Sequence, residues 1–155
     1  MSNKSDFNID PIPVPEIWKE KTKWEKRWEK IPFVGWFFVT LIENGRFCRA
    51  RGELYEQIKN RPTVTLRQFY RDKEKITLQV ATIIMYEMNW ATNIFSQDDL
   101  LDVLIFDGDL FYRICDKIEV LFDIPEQCLS KCYDDNPNMK FGDFIQCIIQ
   151  NMGTR

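Results

Sequence analysis

The 155-residue chain contains no histidine. That removes the side chain most often used as a general base near neutral pH and the commonest nitrogen ligand for metals. A Walker A loop, the glycine pattern of dinucleotide-binding folds and a serine-centred nucleophile elbow are also missing. No catalytic residue, cofactor or metal is expected, and the chain reads as a non-enzyme. Long hydrophobic runs are lacking too. The longest apolar stretch, Ile31 to Ile42, has 12 residues and includes Pro32 and Gly35, whereas a spanning helix needs about 20. The segment Met1 to Asp10 is polar, without the apolar centre of a signal peptide. Cysteine is present in an odd number, five, with no secretory signal, which argues against a disulfide framework. The expected location is the cytoplasm.

What is present argues for a packed core. Apolar residues make up 45% of the chain and aromatics 14%, too many for a disordered segment. The length suits one domain, or one small domain with a structured extension. Charge is unevenly spread. Residues 1–75 hold 16 Lys/Arg against 11 Asp/Glu, and residues 98–155 hold 5 against 12. Such separation marks two faces with different partners, two parts that attract each other, or ordinary solvated surfaces.

Pro11, Pro13 and Pro15 favour an extended lead-in. Glu16 to Lys30 then predicts a charged helix with Ile17, Trp24, Trp28 and Ile31 on one face. Trp24 and Trp28 either dock that helix onto the body or serve a partner or membrane interface. Residues 31–42 fit a strand turning at Asn44-Gly45, a helix capped there, or an interfacial segment. Leu54, Tyr55 and Ile58 at helical spacing favour two helices joined at Asn44-Gly45. Arg61-Pro62 breaks the pattern, and Thr65 with Gln68 offers a capping-box start.

From Ile76 the period is clearer. Ile76, Val80, Ile83, Ile84 and Met88 predict a helix, followed by a loop over 89–105 containing Asp98-Asp99-Leu100-Leu101. A second helix starts near Asp109, with Asp109 as a suitable N-cap, and buries Leu110 or Phe111, Ile114, Ile118, Leu121 and Phe122. Pro125 opens a short helix through Leu129 and Cys132. Phe141, Phe144, Ile145, Ile148, Ile149 and Met152 form the last amphipathic helix.

This order, over about residues 74–152, resembles the acyl carrier protein fold. It is closer still to a family of uncharacterised bacterial proteins that share the fold and lack the carrier signature. The resemblance rests on the acidic loop before the second helix (Asp98, Asp99, Asp102), on Ile105-Phe106-Asp107-Gly108-Asp109-Leu110 and on Phe122-Asp123-Ile124-Pro125. Carriers bear phosphopantetheine on a serine at the start of the second helix. Here that position falls on Gly108, which has no hydroxyl, and Ser96 and Ser130 lie on the wrong sides of the loop and the short helix. The resemblance therefore implies a carrier-like four-helix bundle over 74–155, without the prosthetic group; with the N-terminal, helical, Trp-rich extension read over 1–73, the chain is expected to be all-α. It further implies that the acidic second helix, through Asp107, Asp109, Asp116 and Glu119, faces a basic protein partner, with Arg113 and Lys117 diluting the acid.

Other groups have simpler roles. Cys128 and Cys132 stand four apart on the predicted short helix, but zinc would require Cys115 and Cys147 to converge as well, so buried structural cysteine is expected. Asp134-Asp135-Asn136 lacks the later glycine and glutamate of a calcium loop and reads as a solvated turn. Arg46, Arg49 and Arg51 flank Phe47, yet with pI near 5 and no nucleic-acid motif, no nucleic-acid partner is expected. Three functions follow: a non-enzymatic protein-binding module, a peripheral membrane or membrane-complex protein anchored by the Trp/Phe-rich N-terminal segment, or a true carrier with an unrecognised serine.

Overall fold

A computed structural model of the chain describes residues 11–15, 34–61 and 73–153. The predicted helix over 16–30, with Trp24 and Trp28, and the Thr65/Gln68 start lie outside the described residues. Among those residues the secondary structure is all-α, with six helices. By packing, the chain divides into a unit of residues 13–57 and a unit formed by 1–12 with 58–155. The divisions fall at 12/13 and 57/58.

Most of the first unit's described residues belong to α1, which runs without interruption over Val34–Lys59, its last two residues falling in the second unit. This corrects the expected break at Asn44-Gly45. A turn or left-handed cap there needs positive φ at the glycine, and Gly45 does not adopt it. A glycine inside a helix costs about 1 kcal/mol relative to alanine, which the helical neighbours on both sides offset. Ala50, Leu54 and Ile58 are buried at four-residue spacing, and Leu41 and Tyr55 are exposed.

The second unit contains α2 (Glu74–Met88), the single turn α3 (Leu101–Leu104), α4 (Gly108–Phe122), α5 (Cys128–Asp134) and α6 (Phe141–Asn151). The four longer helices pack in a closed cycle: α2 on α4, α4 on α5, α5 on α6, and α6 back on α2. Their apolar spacing explains the cycle. Val80, Ala81, Ile84 and Met88 of α2 are buried, as are Phe111, Ile114 and Ile118 of α4 and Phe141, Phe144, Ile145 and Ile148 of α6. Each set recurs every three or four residues, so each helix buries one stripe. Leu121 is a correction. It was expected in the core but is 49% exposed, and the buried stripe of α4 swings instead to Cys115 and Glu119. Asn89 and Asp123 end α2 and α4 in the left-handed conformation, with φ of 55° and 54°, a position that short polar side chains tolerate.

The loop from 89 to 100 is not a solvated connection. Trp90, Ile94, Phe95, Ser96 and Asp99 are buried in it, and Trp90 donates its indole N–H to the Leu104 carbonyl at 3.0 Å. The loop is sewn to the start of α6. Phe141 N–H donates to Asp99 O at 2.8 Å, Gly142 N–H to Gln97 O at 2.9 Å and Leu101 N–H to Met139 O at 2.9 Å. Gly142 suits this approach: a Cβ there would stand 3.0 Å from Gln97 O and 3.1 Å from Gln97 Cβ, so the segment at Gln97 would have to give by a few tenths of an ångström.

Candidate functional site

The start of α4 is built by Asp107. Its Oδ1 accepts the N–H groups of Asp109 at 3.1 Å and Leu110 at 3.2 Å, the N-cap arrangement that satisfies helix amides lacking a carbonyl partner. The cap is therefore Asp107 and not Asp109. Gly108 follows as the first helical residue, exposed, with negative φ and nothing within 4 Å of where a Cβ would sit. The Gly108 position is thus open to solvent and sterically unhindered.

Along the outside of α4 stand Asp109, Tyr112, Asp116 and Val120, all exposed, with Val120 at 71%. They share the face opposite Ile114 and Ile118 by helical period. Two cations also lie on α4, but they lean toward α2. Arg113 pairs with Glu87 at 3.3 Å, and Lys117 pairs with the same carboxylate. Asp116 thus stays on the α5 side, while the positive charge of α4 is drawn to the α2 side, where the single carboxylate of Glu87 offsets part of it.

Toward α5 the surface sinks into an open concavity of about 280 Å³ lined by Asp116, Glu119, Val120, Glu126 and Gln127. Glu119 forms its wall and not its rim. It is 2% exposed, and its carboxylate accepts Leu129 N–H at 2.8 Å and Gln127 N–H at 3.0 Å. Expected as a surface acid, Glu119 is instead committed to capping α5 from inside, because the first amides of α5 have no side-chain cap of their own. Gln127, the residue before α5, has φ of 61°. A non-glycine residue held there is strained, and such strain collects at binding and switch sites.

Of the six candidate residues named from sequence, Asp109 and Asp116 are therefore exposed on one face. Asp107 is half-buried and occupied as a cap, Glu119 is buried, and Trp24 and Trp28 fall outside the described residues.

The cysteines do not stay separate. Cys132 of α5 is disulfide-bonded to Cys147 of α6, with Cα atoms 7.0 Å apart, and Cys48, Cys115 and Cys128 are free. This corrects the expectation of unlinked structural cysteines. The pairing joins neighbours on two helices, and linear spacing does not reveal it. Burial, with the carboxylates of Glu119 and Asp116 nearby, pushes the Cys115 thiol far above the ordinary thiol range, which makes it unreactive.

Two polar features escaped sequence reading. Asp99 is fully buried and accepts both arms of Arg61, at 2.5 and 2.8 Å. Tyr133 donates its hydroxyl to Asp102, and burial with that bond pushes its phenol up to about 12. Among the described residues, no group of three or more His, Cys, Asp or Glu is arranged to hold a metal ion. No helix there is long and apolar enough to cross a membrane. No family model, curated protein or solved structure matches the chain.

Proposed function

We propose that this chain is a non-enzymatic protein-binding module on a carrier-like helical fold that has lost the prosthetic-group serine, and that it receives a basic helical segment on the outer face of α4. The observation that carries this reading is the sorting of charge on α4. Arg113 and Lys117 both turn toward Glu87 on α2, while Asp109 and Asp116 flank the exposed apolar groups of Tyr112 and Val120. An apolar stripe edged by one sign of charge suits an amphipathic helix of opposite sign. Gly108 supports the first half of the reading, since a hydroxyl is indispensable for attaching phosphopantetheine.

Titration of the isotopically labelled chain with a synthetic Leu/Lys amphipathic helical peptide tests the proposal. Amide shifts are expected at Tyr112, Asp116 and Val120, and Asp116→Lys should weaken binding by about tenfold, the effect of 1.4 kcal/mol. Added salt should weaken it further. Equal affinity for a Leu/Glu peptide of the same pattern, or an unchanged affinity in Asp116→Lys, would sink the assignment of this face.

A further inference from the structure

We propose that the Cys132–Cys147 bond is a reversible redox lock on α5, opened by a dithiol reductant and closed by a disulfide oxidant such as oxidised glutathione. The argument starts from how little else holds this helix. It has seven residues, well below the length at which a helix persists without tertiary support. Leu129 is its one buried side chain. The N-terminal end is fastened to α4 by the Glu119 carboxylate. Toward the C-terminal end, Tyr133 reaches Asp102 and stacks near Phe111, and the disulfide alone ties α5 covalently to α6.

The two sulfurs are unequal in a way that directs the exchange. Cys132 is half-buried and Cys147 is 6% exposed, so an incoming thiolate reaches the Cys132 sulfur. The S–S bond breaks, its electron pair leaves on the Cys147 sulfur, and that sulfur takes up a proton. Asn151 Nδ2 lies 3.7 Å from Cys147 Sγ and donates toward it, which favours the leaving thiolate. The second thiol of the reductant then displaces Cys132 from the mixed disulfide. One dithiol is oxidised to a cyclic disulfide and the protein gains two thiols. Closing consumes one glutathione disulfide and releases two glutathione thiols.

Opening frees the end of α5 whose other end, Gln127, lines the concavity beside α4. Reduction is therefore expected to loosen the proposed docking face. That consequence rests on the function proposed above, whereas the lock itself does not.

The test uses the full chain equilibrated in oxidised or reduced glutathione, then acid-quenched and alkylated in denaturant so that buried thiols also react. Trypsin cuts after Lys131 and Lys140, which places Cys128, Cys132 and Cys147 on separate peptides. The oxidised chain is expected to yield the 132–147 linked pair and three alkylated cysteines, and dithiothreitol should convert all five. Amide exchange at residues 131–135 should quicken by about tenfold or more on reduction, with α2 and α4 unchanged. Cys132→Ser should exchange rapidly in either buffer, and Cys128→Ser should keep the full response. A link from Cys128 in place of Cys132, five alkylatable cysteines after oxidation, or equal exchange in both states would overturn the lock. The Leu/Lys peptide separates the two claims. If exchange responds to reduction while the peptide binds neither state, the docking reading fails and the lock stands.

Discussion

The carboxylate of Asp99 receives both arms of the Arg61 guanidinium and, on its remaining lone pairs, the N–H groups of Ile12 at 2.9 Å and Ser96 at 2.7 Å. One fully buried carboxylate thus joins three stretches separated by up to 87 positions. Burying two charges is costly, and only a complete set of hydrogen bonds offsets it. Asp99→Asn keeps the shape but removes the charge, leaving Arg61 buried against a neutral amide. Loss of one partner from such a pair costs about 3–5 kcal/mol, measurable as a lower denaturant midpoint at unchanged slope. A loss under about 1 kcal/mol would mean that water already reaches the pair.

Glu119 is the second buried acid with a structural task. In Glu119→Gln the amide still presents one oxygen, but its NH₂ must face either Gln127 N–H or Leu129 N–H, two donors together. Leaving a buried donor unpaired costs about 1–3 kcal/mol. Exchange at Gln127 and Leu129 should rise before that of α6. Uniform destabilisation without this local signature would place the role of Glu119 elsewhere.

Gln127 should be improved by glycine. At φ of 61° an L side chain pays about 1–2 kcal/mol that glycine avoids, while glycine loses more chain entropy on folding, about 0.5–1 kcal/mol. The net expectation for Gln127→Gly is a gain of between about 0 and 1.5 kcal/mol in chemical denaturation. A clear loss would show that the Gln127 side chain contributes more than its backbone costs.

Tyr133 gives a pH test. Its phenol is raised to about 12 from the ordinary 10 by burial and the bond to Asp102. A group whose pKa is higher in the folded state stabilises the fold fully below its unfolded pKa. That contribution is lost as pH climbs from about 10 to about 12. Tyr133→Phe should remove a late-titrating component from the tyrosinate absorbance. Persistence of that component in the variant would refute the assignment.

The contrast between what could and could not be read from the sequence follows the range of the interactions. Val80, Ile84 and Met88, or Phe141, Phe144 and Ile148, declare their helices because one face is buried along a single segment. Asn44-Gly45 misled because a turn signal and a tolerated helical pair look alike when only composition is visible. Leu121 and Glu119 exchanged their expected places for a physical reason: the amides opening α5 needed an acceptor, and the carboxylate nearest them in space sits on α4. The Arg61–Asp99 pair and the Cys132–Cys147 bond link segments that meet only after the chain has closed on itself. Of the site, the absence of a hydroxyl at Gly108 and the acid of Asp109 and Asp116 can be read from the sequence; the turn of Arg113 and Lys117 toward Glu87 cannot.

Gly108→Ser is the sharpest probe of the carrier resemblance. The position is exposed, its φ is negative and no atom lies within 4 Å of a new Cβ, so the variant should fold with a stability change within about 0.5 kcal/mol, as for an unconstrained surface site. The new hydroxyl would occupy the first helical residue after the Asp107 cap, at the exposed start of α4. Co-expression with a promiscuous phosphopantetheinyl transferase should leave the wild-type mass unchanged, because no serine occupies that turn. Ser96 is 1% exposed and out of reach, and Ser130 lies on α5 with its hydroxyl donating to Gln127 O at 3.1 Å. Intact-mass measurement decides the matter: a pantetheine increment on the unaltered chain would overturn the non-carrier reading. An increment on Gly108→Ser alone would mean that the surface of α4 is still read as a carrier helix.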